Sequence, residues 1–307
     1  MNSNISKYIW MDGDLVEFEK ATVPFLTSAL HYGSAVFEGI RCYKTDKGPA
    51  VFRLKEHMER LVDSALVLGF RSLPYTAEEL GEATLKTVAA NGFEECYIRP
   101  LIYSGGAALS LNLDATEAKV GIAVWDMGSY LGEDGMENGI RAHISSFTRH
   151  HPNVSMTKAK VSGNYSNSIL AKTESVRLGF EEAIMLDPQG YVAECTGENL
   201  FIIRNGKIYT SHTAAILEGI TRDSILTICR EMGLEIIEQP VSRDQLYIAD
   251  EMFVCGTAAE CVSIREVDYR VIGDGKMGPI TRKIQKTFHE AVRGKGPHAS
   301  EWLAYVR

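Results

Sequence analysis

Residues 181–211 hold the runs EEAIMLD, YVAEC, LFIIR and KIYTS, parted by Asp187-Pro188-Gln189-Gly190, by TGEN and by Asn205-Gly206. Runs this short are strand-length rather than helix-length, and the residues between them are those that reverse an extended chain. The stretch is therefore committed to a strand meander, and any fold for the chain has to supply a sheet for it.

Elsewhere strand runs alternate with helical ones. YIWMDGDLVEFEKATV alternates around Asp12-Gly13, a hairpin signal, and AVFEGIRCYKTDKGPAVFRL reads as two strands about a Gly-Pro turn. In LKEHMERLVDSALVLGF, Leu54, Met58, Leu61, Ala65 and Leu68 fall at helical spacing and Gly69 closes the run. Thr76 and Glu79 form a capping box for a helix to about residue 90. ECYIRPLIYS and AKVGIAVWDM predict two strands. GSYLGEDGMENG, rich in glycine and acid, predicts a connector at which the chain divides. Next come a strand, IRAHISSFTR, and a helix over 164–178 with Ile169, Thr173 and Val176 on one side and Gly179 as its stop. After the meander, TRDSILTICREM predicts a helix ending at Gly233. A strand LEIIEQPV, a short helix after Ser242, the run EMFVCGTAAECVSIREV and a helix from Pro279 to about 292 complete the pattern. The tail GKGPHASEWLAYVR has no assigned structure.

The chain's 307 residues, 45% hydrophobic and 23% charged, suit about two domains. A net charge of −8 without a run of five like charges argues against nucleic acid or an anionic membrane as partner, though local donors can still hold a small anion. No apolar run approaches the ~18 residues of a membrane helix. MNSNISKYIWMDGD lacks the apolar centre of a signal peptide, so a soluble cytoplasmic protein is expected. The cysteines at 42, 96, 195, 229, 255 and 261 make no C-x-x-C pair, which points to free thiols. His150-His151 reads as a loop feature, and no metal site is expected.

Several short stretches admit a chemical reading beside a bland one. In TKAKVSGNYSNS, Lys158 and Lys160 precede a glycine, an asparagine and Tyr165. Either they decorate a solvated turn, or one is a reactive amine, deprotonated in a partly dry pocket, with the tyrosine as hydrogen-bond donor. In EGITRDS, Gly219, Ile220 and Thr221 sit at a helix start, which is either a plain start capped by Thr221 or an anion cradle. CGTAAE offers further backbone donors around Gly256 and the Thr257 hydroxyl. Glu194 at a strand end faces either solvent or a protonated ring nitrogen. Arg60 beside an apolar stripe either snorkels or reaches a phosphate. Tyr32, Phe37, Arg41, Tyr97 and Arg99 lie among glycines and strand residues; aromatics there suit a core, arginines less so. Jointly these supply an amine, a phosphate cradle, an anion for a pyridinium and an aromatic wall, the parts that pyridoxal phosphate (PLP) requires.

The ordered set HYGSAVFEGIRCY, EHMERL, YIRPL, KAKVSGNY, ECTGENLF, EGITRD and GTAAE resembles the fold-type IV PLP-dependent aminotransferases, and most closely the bacterial branched-chain amino acid aminotransferases, in a likeness that runs from about residue 8 to about residue 292. The resemblance implies an α/β fold of the α+β type, in the two-domain D-amino acid aminotransferase-like architecture. A small domain would span 1–128, a connector loop 129–136, and a larger domain carrying the PLP lysine 137–307. It implies transfer of the amino group of L-leucine, L-isoleucine or L-valine to 2-oxoglutarate, a step of branched-chain amino acid biosynthesis. The alternatives are D-amino acid or (R)-amine transamination, or aminodeoxychorismate lyase activity.

By the same resemblance, Lys160 rather than Lys158 is the Schiff-base lysine. Tyr165 would bond the ring hydroxyl oxygen, and Glu194 would keep the pyridine nitrogen protonated. Arg60, the Gly219-Ile220-Thr221 turn, Gly256 and Thr257 would hold the phosphate. Tyr97 with Thr257-Ala258 would meet the substrate α-carboxylate, and Arg99 the side-chain carboxylate of glutamate. Gly39, Phe37, Met127 and Tyr130 would line the side-chain pocket, with Tyr32 and Leu109 serving a neighbouring subunit of a homodimer or hexamer. Many relatives carry Trp-Gly where this chain has Met127-Gly128, with Trp125 two positions earlier, which leaves the pocket wall open.

Overall fold

Asp12-Gly13 and Asn205-Gly206 carry the positive φ that two-residue hairpins need, 47° and 110° in the first and 51° and 74° in the second. They join Tyr8–Met11 to Asp14–Glu17 and Asn199–Arg204 to Lys207–Thr210. The computed structural model describes residues 5–106, 109–128 and 130–307; residues 1–4, which open the stretch read as lacking a signal centre, and Ser129, the first residue of the expected connector, lie outside them. The chain divides into two compact units. One comprises Met1–Gly128, Ala159–Asn164 and Ala291–Arg307, and the other Ser129–Lys158 and Tyr165–Glu290.

Among the described residues, the first unit's sheet runs Leu303–Tyr305, Gly48–Phe52, Ile40–Thr45, Cys96–Gly105, Glu117–Trp125, Tyr8–Met11, Asp14–Glu17. Ala35–Phe37 also pairs with Cys96–Gly105. Its pairings are antiparallel, so side chains alternate strictly between faces. One face sets Ile40, Ile98, Ile102, Ile122 and Val124 against Met58, Leu61 and Ala65 of the helix Leu54–Leu68 and Leu80 and Val88 of the helix Ala77–Asn91. The same period of two sends Tyr97, Arg99 and Trp125 to the opposite face, Tyr97 directly across from Trp125. Gly69 ends the first helix at φ 116°, and Thr76 and Glu79 form the expected capping box of the second.

Three expectations change here. The turn after Ile40–Thr45 is Asp46-Lys47, not Gly-Pro, because Thr45 pairs with Gly48 and its hydroxyl bonds both Gly48 O and Lys47 N. The tail is ordered as a helix Ala299–Trp302 and a strand Leu303–Tyr305, since buried Trp302 packs edge-on against Phe52 at 5.8 Å. The segment bearing Lys160, expected in the C-terminal domain, belongs to the first unit. Ala159 and Val161 are buried in that unit's core, Val161 bridges Val36, and Phe37 N donates to Lys160 O.

The second unit's sheet runs Val192–Cys195, Glu182–Leu186, Ile140–Ile144, Glu260–Val267, Glu251–Gly256, Asn199–Arg204, Lys207–Thr210, Ile236–Glu238. Ile140–Ile144 lies parallel to both neighbours. It stops well short of the expected IRAHISSFTR strand because Glu174 takes the Ser145 hydroxyl and the Ser146 N–H. The expected connector loop contains a helix, Gly132–Asn138, held by Leu131 and Met136 packing on the core. The helix Tyr165–Arg177 turns Ser168, Ala171 and Ser175 inward, with Ala171 against Ala183 and Met185; small residues let it lie close to the sheet. Ile169 and Val176, the apolar side read from the sequence, stay exposed at 64% and 55%. All six cysteines are buried free thiols, and among the described residues no helix is long and apolar enough to cross a membrane.

Gly33 has φ 67°, and a Cβ there would stand 2.8 Å from Gly163 Cα, three residues beyond Lys160. Gly33→Ala should therefore cost about 2–4 kcal/mol, from left-handed strain plus overpacking. Urea unfolding measures it, and a loss below about 0.5 kcal/mol contradicts the packing described, because that is the range of an indifferent surface change.

Candidate active site

The sheet face left uncovered by the helices gathers the first group of expected residues. Phe37 lies under two cations: Arg99 Cζ is 4.6 Å and Lys160 Nζ 5.0 Å from its ring centroid. Arg99 also stands over Tyr97 and Trp125, at 5.4 and 5.8 Å, and donates to the Tyr97 hydroxyl at 3.3 Å. Its Nε is buried without a hydrogen-bond partner. A guanidinium walled by three rings, with a donor left over, accepts either a carboxylate or an apolar group. Gly39 is explained by the same cluster, since a Cβ there would fall 2.0 Å from the Tyr97 hydroxyl.

The two lysines of the KAK segment are separated by environment. Lys158 is exposed and pairs with Glu218 at 2.6 Å, while its ammonium also donates to Thr213 O. Lys160 is half-buried, and its N–H donates to the hydroxyl of buried Ser64 at 3.0 Å. The bland reading therefore fits Lys158, and Lys160 is the less exposed of the two.

Arg60 neither snorkels nor stands alone. Its Nε and Nη2 grip both oxygens of Glu38 side-on, at 2.6 and 2.9 Å. Glu38, 0% exposed, also accepts from His57 Nδ1 at 2.7 Å and Gly39 N at 3.3 Å. Burial alone would raise this carboxyl's pKa, but Arg60 and His57 overcome it and hold the group well below the usual carboxylate range. Burial pushes His57 down, with Arg60 and Lys160 adding to it against the pull of Glu38. The imidazole is therefore neutral, its Nδ1–H goes to Glu38, and Nε2 is buried without a partner.

The second unit holds the other group. Glu194, on the strand Val192–Cys195, is 6% exposed and fixed on several sides. Arg149 Nε donates to Oε1 at 2.7 Å, Asn199 Nδ2 to Oε2 at 3.3 Å, and Leu217 N to both oxygens at 3.3–3.4 Å. The helix Ile220–Glu231 starts at Gly219 with no side-chain cap, so the expectation of Thr221 as its cap fails; Thr221 lies inside the first turn, buried. The first-turn N–H groups there have no intrahelical acceptor. Gly219 is a matter of space: a Cβ would meet Asn199 Oδ1 at 2.1 Å. Gly256 ends the strand Glu251–Gly256 against Gly197 O, with Thr257 and Ala258 half-buried in the turn that follows. Tyr165 opens its helix half-buried. Glu182 binds Lys172 and Thr196, and burial, with Glu182 adding repulsion, pushes Glu198 up to about 8, so it stays protonated at neutral pH.

Met127 is half-buried after the strand Glu117–Trp125, Tyr130 is exposed with Lys172 Nζ 5.7 Å from its ring, and Tyr32 is 48% exposed at the end of a short helix. Sequence reading gave no site role to Glu38, His57, Arg149 or Asn199, and named Trp125 only as lying two positions before Met127. Glu38 and Asn199 stand inside the quoted motifs FEGIR and TGENLF, and the alternation of Trp125 with Val124 was available to place it beside Tyr97.

The first unit thus holds an amine beside an aromatic ring and an arginine tethered to a carboxylate, and the second, taken by itself, holds a fixed carboxylate and an uncapped helix start whose amides suit an anion. Residues 35–267 match the amino-transferase class IV family model. A branched-chain-amino-acid aminotransferase of Pseudomonas aeruginosa is 48% identical over 97% of this chain and 97% of its own. The solved T.th. branched-chain amino acid aminotransferase with pyridoxamine 5'-phosphate matches with TM-score 0.95 at 48% identity, covering 98% of this chain and 99% of that one. Its complex with N-(5'-phosphopyridoxyl)-L-glutamate matches with TM-score 0.94 at 47% identity, covering 98% and 99%.

His57 has a folded pKa below its ordinary 6.5, so its contribution to stability is whole above that pH and is lost as pH falls below it. Glu38 adds a second loss below its ordinary 4.5. Thermal midpoints taken from pH 8 down to 5 should fall more steeply for the wild type than for His57→Gln; parallel curves contradict the buried neutral imidazole.

Proposed function

We propose that this chain, which belongs to the amino-transferase class IV family and within it to the branched-chain-amino-acid aminotransferases, moves the amino group of L-leucine, L-isoleucine or L-valine to 2-oxoglutarate, with pyridoxal 5'-phosphate as cofactor. The observation that carries this reading is Arg99, a guanidinium with an unpaired buried Nε among Phe37, Tyr97 and Trp125. One wall of this kind serves both substrates: the rings take a branched aliphatic chain, and the guanidinium takes the second carboxylate of glutamate or 2-oxoglutarate.

When bound, PLP supplies a carbonyl that condenses with amines and a conjugated ring that withdraws electrons from the substrate Cα. Lys160 holds the cofactor through its amine and, once released, moves the proton at Cα as general base and acid. Glu194 keeps a proton on the ring nitrogen, and Arg149 and Asn199 keep Glu194 from turning away. Tyr165 donates to the ring hydroxyl oxygen. Arg60, the amides of Ile220 and Thr221 after Gly219, and Thr257 after Gly256 bind the phosphate. Tyr97 and the Thr257-Ala258 turn orient the α-carboxylate, while Phe37, Gly39, Met127 and Tyr130 shape the side-chain pocket. Trp125 takes up, beside Arg99, the aromatic wall that Met127 lacks.

The working enzyme is a cytoplasmic homo-oligomer, with Tyr32 and Leu109 serving a neighbouring copy. Exposed Phe25 (76%), Leu30, Tyr32, Leu109 and Leu111 support this, since a lone chain seldom leaves such a set uncovered.

Glutamate formation from 2-oxoglutarate should proceed with L-leucine, L-isoleucine and L-valine; preferred turnover of D-alanine or an (R)-amine contradicts the assignment. Lys160→Ala should abolish turnover. Arg99→Ala should raise the KM for 2-oxoglutarate about 10–100-fold, the range for a lost charged hydrogen bond, and that for 4-methyl-2-oxopentanoate far less. Equal losses contradict the role of Arg99.

A further inference from the structure

We infer that Glu38, backed by His57, is a positioning residue for the cofactor's phosphate and acts through Arg60. The inference rests on the reading of Arg60 as a phosphate ligand and assigns a task to a buried pair that this reading leaves unused. An arginine side chain is long, and holding it in one rotamer costs entropy that an anion would otherwise have to offset on binding. Glu38 meets that cost in advance. Its carboxylate takes Nε and Nη2 side-on, which fixes the guanidinium plane and leaves the Nη1 edge outside the pair. The carboxylate cannot swing, because His57 and Gly39 N hold Oε2 and no part of it reaches water. His57, neutral, supplies that support without adding a third full charge.

Two effects of Glu38 on an anion oppose each other. Its charge subtracts from the pull of Arg60, and its grip pre-orders Arg60. Were charge decisive, Glu38→Gln would tighten phosphate binding; pre-ordering predicts the reverse. Pre-ordering is favoured because Glu38 is fully enclosed and engages both nitrogens of one guanidinium edge, whereas the partly exposed Arg60 keeps its positive charge with or without its partner.

The test is equilibrium binding of PLP and of pyridoxal, which lacks the phosphate, to the full-length apoprotein. Arg60→Ala should weaken PLP and spare pyridoxal; if it does not, the reading of Arg60 is wrong and this inference falls with it. Glu38→Gln should weaken PLP about 10–100-fold, the range for loss of an outer-shell partner, and change pyridoxal less than about threefold. Glu38→Asp, which keeps the charge but is one methylene too short to reach the guanidinium edge, should behave likewise and decides the matter if the glutamine variant does not fold. Where Arg60→Ala shows the phosphate effect, unchanged or tighter PLP binding in the Glu38 variants overturns the inference. So does an equal loss of PLP and pyridoxal, the mark of a merely structural role.

Discussion

A carboxylate with no access to water constrains the first unit's site face more than any other group. Glu38 is ionised, enclosed and satisfied by Arg60, His57 and a backbone N–H. Removing one partner of such a pair leaves an uncompensated buried charge, at a cost of about 3–5 kcal/mol, so the geometry around it is rigidly specified. Its neighbours in the chain inherit that rigidity. Phe37 stacks under Lys160 and Arg99, and Gly39 leaves the space that the Tyr97 hydroxyl fills. Three consecutive residues thus set an amine, two arginines and a tyrosine. The strand Ala35–Phe37 that carries the first of them is itself pinned to Cys96–Gly105 and to the Lys160 segment.

The second unit follows the same logic with a different fixed charge. Glu194 is gripped by Arg149 and Asn199, and Asn199 in turn packs against Gly219, where an uncapped helix begins. Under the proposed function, the side chain that would hold a proton on a bound ring is thereby tied to the turn that would hold a phosphate. In both units the groups that would meet the cofactor are locked by residues that would not touch it, so that little ordering remains to be done on binding.

Local chemistry made much of the fold legible from sequence. Asp12-Gly13, Asn205-Gly206, Gly69 and the Thr76–Glu79 box act within a few residues, and each does what its sequence signals. The quoted motifs drew attention to Lys160, Glu194, Arg99 and Arg60, and the structure shows the surroundings of each. What sequence left hidden depends on pairing across distance. Glu38 and His57 lie 19 residues apart and Arg149 and Glu194 lie 45 apart, and nothing local marks either pair. The helix Tyr165–Arg177 misled for a different reason: its inward face is made of serine and alanine, which a search for apolar periodicity passes over. The Lys160 segment was placed in the wrong unit because sequence order suggested the later half, whereas the core that buries Ala159 and Val161 belongs to the earlier one.

The proposed function attaches the chemistry to Lys160, and its standing against Lys158, only two positions away, is open to direct measurement. Reduction of the PLP-loaded protein with borohydride, followed by digestion and peptide mass mapping, should find the phosphopyridoxyl mass on Lys160. That mass on Lys158 or another lysine, or on none, contradicts the assignment.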